Sequence, residues 1–327
     1  MRGVFAFLAA VLVAATNFGQ SVAPAMPGAD RVRVREFYRL AGELQDKVWP
    51  GMSTTPAPVL LVTKETEFLL RHPAPPKEFQ KIDEETYARP RQFPTALLAT
   101  FPAFGPPSVI VVGEPENTEA KTSTPWLFVV MHEHFHQLQD SQPGFFDATA
   151  GLGLAHGDNT GMWMLNYPFP YSRADLAQSF SHLRDLLLLT LNEPEDGEFH
   201  AMAAQYLAER EGFLRLLSRD DRKYLLFQFW KEGMARYVQI KSAEMAANYQ
   251  PSREFAALPD YESFESYAKR ARTDTLNELK KADLAKWKRV VVYSFGACEG
   301  LLLDRLNPTW KDGYFRHLFT LDPYFEK

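Results

Sequence analysis

Three histidines and a glutamate fall within five consecutive positions of the stretch VVMHEHFHQLQD, residues 129–140. On a strand, alternation would place His132, His134 and His136 on one face and would suggest a three-histidine metal site. On a helix, His132 and His136 stack one turn apart while His134 points elsewhere. Both geometries predict metal chemistry, and the secondary structure decides which side chains are the ligands.

The flanking residues favour the helix. Thr124 can cap a helix that has Pro125 at its first position, and Pro143 with Gly144 is a typical helix end. The apolar residues between these points recur at helical spacing: Trp126, Leu127, Val130, Met131, Phe135 and Leu138. A strand of that length would be unusual. We therefore predict one helix that carries all three histidines.

In a helix, residues 132–136 have the pattern HExxH. The histidines at i and i+4, His132 and His136, each offer one imidazole nitrogen to a single Zn²⁺. Glu133 lies one residue round the helix and reaches the water on that metal. The alternative is a partly exposed helix whose histidines bind no metal. We expect His134 to pack or to support the ligands rather than to bind the metal.

A catalytic zinc needs a third protein ligand and an open fourth position. The segment after the histidines does not supply this ligand as metzincins do, because Gln139 and Gln142 stand where those enzymes carry Gly and His. Two candidates, His156 and Asp158, lie in an aromatic loop at about residues 144–171. They remain possible third ligands.

Glu232, in FWKEGMARY at residues 229–237, is the better candidate. It lies in a long predicted helix, in which Gly233 allows close backbone approach and Ala235 is small enough for packing against the HExxH helix. The alternative is an ordinary surface glutamate, since isolated helical glutamates usually face water. We predict that Glu232 completes the site for one Zn²⁺ per chain.

HEHFH followed by WKEGMARY resembles the gluzincin metallopeptidases, the group of thermolysin and aminopeptidase N. In that group HExxH supplies two ligands and a later helix supplies a glutamate. YSFG, residues 293–296, is similar to the aminopeptidase Y-x-K-G segment, whose tyrosine hydroxyl stabilises the oxyanion. The resemblance implies a zinc metallopeptidase with Glu133 as the general base and Tyr293 as the oxyanion donor.

The sequence departs from the family pattern at several points. Residues 137–231 separate the two ligand segments, which requires an inserted aromatic loop and helices at about 144–218. Lys231 replaces the usual asparagine, and Phe295 replaces the usual lysine. GEPEN, residues 113–117, is similar to the G-x-M-E-N exopeptidase strand but contains a proline. Endopeptidase and exopeptidase action both stay open.

The elements that must position these residues divide the chain in two. Three runs bounded by Pro or Gly are rich in β-branched and aliphatic residues and predict strands: 58–63, 95–101 and 108–113. Four later runs have helical spacing: 180–193, 199–217, 222–247 and 290–306. We predict an α+β fold. A small mixed β-sheet in an N-terminal subdomain, residues 21–124, packs on a mainly α-helical zincin-type catalytic subdomain, residues 125–327.

Composition and charge limit the classes of protein to which this chain can belong. The chain has 327 residues, of which 46% are hydrophobic, and this is enough apolar material for a large core. The formal net charge of -5 comes without a sustained basic block, so the sequence does not predict a nucleic-acid partner. Cys298 is the only cysteine, so no intramolecular disulfide can form and we expect it to be buried.

The first residues have the layout of a secretory signal peptide. Met1 and Arg2 precede a short apolar run at residues 4–15, which polar residues then end. The alternative is a buried or interfacial first helix, because the run is too short to span a bilayer. We predict a signal peptide at residues 1–20 and a secreted or periplasmic protein without stable membrane insertion.

Together these features predict an exported zinc peptidase that acts on peptide or protein substrates. Two alternatives of other classes stay open. A zinc-binding protein without catalysis would keep the ligands but would not depend on Glu133. A zinc hydrolase acting on another acyl or ester bond would share the same chemistry. The sequence predicts no oligomeric state.

Overall fold

The structure is a computed structural model that describes residues 25–326. The predicted signal peptide, residues 1–20, lies outside the described residues. The first element is helix α1, Gly28–Val48, within the part of the chain that we predicted to be β-rich. It forms because one helical face is apolar and buried: Val34, Phe37, Leu40, Ala41, Leu44 and Val48. The N-terminal part therefore contains a long helix in addition to its strands.

Six strands follow and form one mixed sheet. They are β1 Val59–Val62, β2 Thr66–Leu70, β3 Gln80–Lys81, β4 Thr86–Pro90, β5 Leu98–Phe101 and β6 Val109–Gly113. Their order is β3-β4-β2-β1-β6-β5, in which β1 and β6 are parallel and the other pairs antiparallel. The three predicted strands are confirmed as β1, β5 and β6. The strands β2 to β4 were not predicted.

The central strands β1 and β6 are buried along their whole length, as parallel strands covered on both faces usually are. One face of the sheet contributes Val59, Leu61, Ile110 and Val112 to the core that it shares with the helices. The opposite face carries Leu60, Val62, Val109 and Val111 into a smaller apolar cluster. The main core therefore joins the sheet to the helices.

The rest of the described chain is helical. The helices are α2 Ser123–Asp140, α3 Phe145–Gly151, α4 Trp163–Asn166, α5 Ala174–Asn192, α6 Asp196–Arg215, α7 Arg219–Gln228, α8 Met234–Met245, α9 Arg253–Ala256, α10 Phe264–Lys281, α11 Leu284–Trp287, α12 Val291–Leu306 and α13 Asp322–Phe325. A π-helical turn, Phe229–Gly233, joins α7 to α8. The four predicted helical runs are confirmed in α5, α6, α7 to α8, and α12. The helix α10 was not predicted.

Helix α2 lies at the centre of the molecule, and every residue from Ser123 to Asp140 is buried. It packs against α1 and α8 and against the strands β5 and β6. The predicted cap is wrong by two residues, because Thr122 is the N-cap and Thr124 lies inside the helix. The Thr124 hydroxyl instead donates to the Glu262 carbonyl at 2.6 Å and ties the start of α2 to the segment before α10.

The fold class is α+β, as predicted. Cys298 is fully buried in α12, also as predicted. Within residues 25–326, no helix combines the length and the apolar character that crossing a bilayer requires.

Candidate metal centre

Three side chains that are distant in sequence meet between α2 and the π-helical turn. The Nε2 atom of His136 lies 3.4 Å from Oε2 of Glu232, and Nε2 of His132 lies 3.9 Å from the same oxygen. One ligand atom from each of the three residues lies within 4.8 Å of the other two. The structure therefore brings together the three residues that the sequence proposed as metal ligands.

The donor atoms of the cluster are of the types that zinc binds. Two imidazole nitrogens and one carboxylate oxygen are a ligand set that catalytic zinc sites use, with a fourth position left open. At zinc–ligand distances of about 2.0–2.2 Å, a tetrahedral site has its donor atoms about 3.3–3.6 Å apart. The distance from Glu232 to His136, 3.4 Å, lies in that range, and the distance from Glu232 to His132, 3.9 Å, is longer.

Gln139 holds His136 in the orientation that this ligand set needs. Its Oε1 lies 2.7 Å from Nδ1 of His136. The Nε2 of Gln139 donates to the backbone oxygens of Trp230 and Lys231, at 3.1 and 3.2 Å, which fixes the direction of the amide. Since Oε1 can only accept, Nδ1 of His136 carries the proton and Nε2 keeps its lone pair for the metal. The sequence analysis did not assign this role to Gln139.

Glu232 is presented by the π-helical turn Phe229–Gly233, a type of irregularity that is frequent at functional sites. Its two oxygens face different partners. Oε2 faces the histidines, and Oε1 lies 3.8 Å from a terminal nitrogen of Arg289. Burial raises the pKa of Glu232. When His136 and His132 are protonated and no metal is bound, the attraction of His136 and the hydrogen bonds from both histidines outweigh burial and hold the pKa of Glu232 well below its usual value.

Gly233 does allow a close backbone approach, but its partner is α12 and not the HExxH helix. A Cβ atom on Gly233 would stand 2.6 Å from the Cα of Gly296, and a Cβ on Gly296 would stand 2.7 Å from the Cα of Gly233. Only glycine fits at these two positions. Because Tyr293 lies one turn before Gly296, this contact brings Tyr293 beside Glu232.

Tyr293 is half-buried next to the histidines, with its ring centroid 6.1 Å from that of His132. Its hydroxyl oxygen accepts a hydrogen bond of 2.9 Å from Arg289. Burial and the nearby charge of Glu232 raise the pKa of Tyr293, more than Arg289 lowers it. The phenol is therefore protonated at neutral pH and can donate a hydrogen bond.

Glu133 lies against the edge strand β5. The Thr100 hydroxyl is 2.7 Å from Oε2 of Glu133 and 3.0 Å from its backbone oxygen. Burial raises the pKa of Glu133 above its usual value, although His132 and the Thr100 hydrogen bond oppose the shift. Thr100 was not predicted as a site residue, because one threonine in a predicted strand has no distinguishing pattern.

The remaining histidine of the stretch, His134, lies in the core. His134 is fully buried, with Nδ1 2.9 Å from Oε1 of Gln137 and Nε2 2.9 Å from Oε1 of Gln45 on α1. Burial lowers its pKa to about 4, so it is neutral at pH 7. His134 ties α2 to α1 and does not face the candidate metal.

The alternative third ligands lie outside the cluster. The Asp158 carboxylate accepts hydrogen bonds from the Thr160 hydroxyl at 2.6 Å and from the backbone N–H of Trp163, also at 2.6 Å, and so shapes its own loop. His156 is exposed in the same loop. Among the described residues, neither joins a group of His, Cys, Asp and Glu that could hold a metal.

The two residues that depart from the family pattern have structural partners. Lys231 is buried, and its Nζ lies 3.4 Å from Oδ1 of Asp140 at the end of α2. Phe295 is fully buried and stacks on Phe229 with ring centroids 4.9 Å apart. Phe295 therefore brings no positive charge to the site.

GEPEN does not form an exopeptidase-like strand beside the cluster. Pro115–Asn117 is a 3₁₀ turn. The Gly113 oxygen that precedes it accepts from the indole of Trp126, in the first turn of α2. Glu114 is hydrogen-bonded to Asp30 at the start of α1. The segment thus belongs to the N-terminal end of α2, two turns from the histidines.

No protein family, curated protein or solved structure matches the chain.

Proposed function

We propose that this chain is a zinc-dependent peptidase of gluzincin type, which hydrolyses peptide bonds in peptide or protein substrates. The proposal rests on one observation, the meeting of Nε2 of His132, Nε2 of His136 and Oε2 of Glu232. Two groups suited to hydrolysis, Glu133 and Tyr293, flank this cluster. A purely structural cluster of histidines and a glutamate would need neither.

His132, His136 and Glu232 would hold the metal. A bound Zn²⁺ supplies a Lewis acid and lowers the pKa of a coordinated water toward about 7. Glu133 is the general base that takes the proton of the attacking water. The Thr100 hydroxyl, 2.7 Å from Oε2 of Glu133, holds the carboxylate in place for this transfer.

Tyr293 supplies the second contribution. As water attacks the scissile carbonyl, negative charge develops on the carbonyl oxygen, and the protonated Tyr293 hydroxyl donates a hydrogen bond to it. One such donor contributes about 10²–10³ in rate in other hydrolases. The half-buried position of Tyr293 beside His132 suits this role.

The same proposal interprets the architecture. The sheet of β1 to β6 is an N-terminal subdomain that presents Thr100 to the base. The helices from α2 onward are the zincin-type catalytic subdomain. The loop and helices at 144–218 are an insertion between the two ligand segments. The predicted signal peptide makes the enzyme secreted or periplasmic, and this part of the proposal depends on the sequence alone.

The test combines metal analysis of the purified protein with cleavage of a diverse peptide mixture, read by mass spectrometry. We expect one zinc per chain and cleavage that Glu133→Gln abolishes while zinc content and melting temperature stay unchanged. Glu209→Gln, an exposed glutamate on α6, is the matched control and should cleave like the wild type.

Other outcomes contradict the proposal in different ways. Zinc without cleavage of any peptide or ester indicates a binding protein. Cleavage of ester substrates alone indicates a different hydrolase. If the protein stays free of zinc after zinc supplementation, the proposed metal site is contradicted.

A further inference from the structure

Arg289 lies beside the cluster and has no role in the chemistry proposed above. It belongs to the short helical turn Lys288–Val290 that precedes α12, and its side chain is only 20% exposed. One terminal nitrogen lies 2.9 Å from the Tyr293 hydroxyl oxygen. The other lies 3.8 Å from Oε1 of Glu232 and 3.3 Å from Oε1 of Gln228. One guanidinium thus contacts both an oxyanion donor and a metal ligand.

The contact with Tyr293 sets the direction of its hydroxyl hydrogen. A guanidinium has donors only, so the Tyr293 oxygen must accept from Arg289. The hydroxyl hydrogen prefers the plane of the ring and has two positions there. Arg289 occupies one side, so the hydrogen points to the other. The carboxylates of Glu232 and Glu133 are both near enough to act on Tyr293 electrostatically.

The contact with Glu232 sets the direction of its carboxylate. Attraction of Oε1 toward Arg289 leaves Oε2 facing His132 and His136. A planar guanidinium can hold both groups at once, because its terminal nitrogens diverge in a fixed fork.

An arginine near a catalytic zinc can also anchor a substrate carboxylate. Here both terminal nitrogens already have protein partners. Gln228, which accepts from Arg289, donates through Nε2 to the Met164 backbone oxygen at 2.7 Å, so its amide direction is fixed. The guanidinium is therefore held in place by the protein, and the geometry favours positioning over substrate binding.

We propose that Arg289 is a positioning residue with two separable effects: it directs the Tyr293 hydroxyl toward the substrate carbonyl, and it orients Glu232 for the metal. This inference rests on the proposed function. The first effect acts on turnover and the second on zinc affinity, so each has its own measurement.

The experiment is a double-mutant cycle of Arg289→Met with Tyr293→Phe. At saturating zinc, Arg289→Met should lower kcat about tenfold or more in the wild type, with little change in KM, but have no further effect in Tyr293→Phe. Zinc affinity, measured by chelator competition without substrate, should fall about 10–100-fold in both backgrounds. Equal losses of kcat in both backgrounds overturn the Tyr293 effect, and unchanged zinc affinity overturns the Glu232 effect.

Arg289→Lys keeps the charge but not the fork, and it covers the case in which Arg289→Met does not fold. It should retain zinc affinity and lose kcat, whereas wild-type kcat in Arg289→Lys overturns the positioning of Tyr293. Arg222→Met is the matched control. Arg222 lies away from the cluster and forms an ion pair with Glu211, in which the nitrogen and the oxygen are 3.1 Å apart. Arg222→Met should change neither kcat nor zinc affinity.

Failure of the proposed function looks different. A wild-type protein that binds zinc without hydrolysing peptides overturns the peptidase and the Tyr293 effect together, while the competition titration still decides the Glu232 effect. A wild-type protein that binds no zinc overturns both.

Discussion

Gly233 and Gly296 lie in direct backbone contact, so that a Cβ on Gly233 would stand 2.6 Å from the Cα of Gly296. These glycines follow Glu232 directly and Tyr293 by three residues. Their contact sets the distance between a candidate ligand and a candidate oxyanion donor that are 61 residues apart in the sequence.

Gly233→Ala should destabilise the protein, because the new methyl group meets backbone atoms that cannot move aside. Overpacking of this kind costs about 1–3 kcal/mol. Thermal unfolding measures the cost, and zinc affinity should fall as well. Gly42→Ala is the control. Nothing lies within 4 Å of a Cβ at that exposed position of α1, and alanine is favoured over glycine in a helix. Equal stability of Gly233→Ala and the wild type would contradict the contact.

Tyr293→Phe should lower kcat by about a hundredfold or more with little change in KM, since one hydrogen-bond donor to the oxyanion is lost. Steady-state kinetics with a cleaved peptide measure this. Tyr237→Phe is the matched control, because the Tyr237 hydroxyl donates to Asp304 at 2.7 Å and its loss should affect stability rather than kcat. If Tyr293→Phe lowers only the melting temperature, Tyr293 is a packing residue.

Glu232→Ala should remove zinc from the dialysed protein, since two histidines alone hold it weakly. Native mass spectrometry reads the metal content. His156→Ala and Asp158→Ala should keep the zinc, as should Glu209→Ala on the exposed side of α6. Loss of zinc in either loop variant, with Glu232 dispensable, would move the third ligand into the aromatic loop.

Gln139→Leu should weaken zinc binding about 10–100-fold, the usual effect of losing a partner of a histidine ligand. Nδ1 of His136 then has no acceptor, and the Lys231 backbone oxygen loses the Gln139 donor, while the Trp230 oxygen still accepts from the Tyr314 hydroxyl. Chelator competition measures the affinity. Gln142→Leu, three residues on, loses only a bond to the Leu138 oxygen and should bind zinc normally. Equal affinities of the two variants would contradict the role of Gln139.

The raised pKa of Glu114 predicts that the stability of the folded protein depends on pH. Burial, the charge of Asp30 and their hydrogen bond raise the pKa of Glu114 to about 7, although Arg33 opposes the shift. The folded state therefore binds this proton more tightly than the unfolded chain, whose glutamate has the ordinary value of 4.5. The contribution of Glu114 to stability is full below pH 4.5 and is lost as the pH rises through 7.

Glu114→Gln should remove this dependence, because a neutral amide replaces the protonated carboxyl at every pH. Melting temperatures at pH 5 and pH 8 measure this dependence. The melting temperature of Glu114→Gln relative to that of the wild type should be higher at pH 8 than at pH 5. Glu84→Gln, an exposed glutamate, is the control. The same difference between pH 5 and pH 8 in wild type and Glu114→Gln would show that Glu114 ionises normally.

Much of this fold can be predicted from the local spacing of apolar residues. The strands β1, β5 and β6 and the helices α2, α5 to α8 and α12 were predicted from runs of apolar residues, because such runs reflect one buried face or two. Helix α1 was missed although its apolar face is regular. The short strands β2 to β4 were missed because pairing with neighbouring strands of the sheet stabilises them more than their own composition does.

The sequence by itself determined the arrangement of His132, Glu133 and His136, because residues i, i+1 and i+4 of a helix have a fixed geometry. It also singled out Glu232 and Tyr293, but only tertiary structure decided that they reach the histidines. Thr100, Gln139 and Arg289 emerged from tertiary structure alone. Thr100 on β5 contacts Glu133 on α2, Gln139 joins α2 to the π-helical turn, and Arg289 contacts Glu232 in that turn. Such contacts arise from packing, which no local pattern encodes.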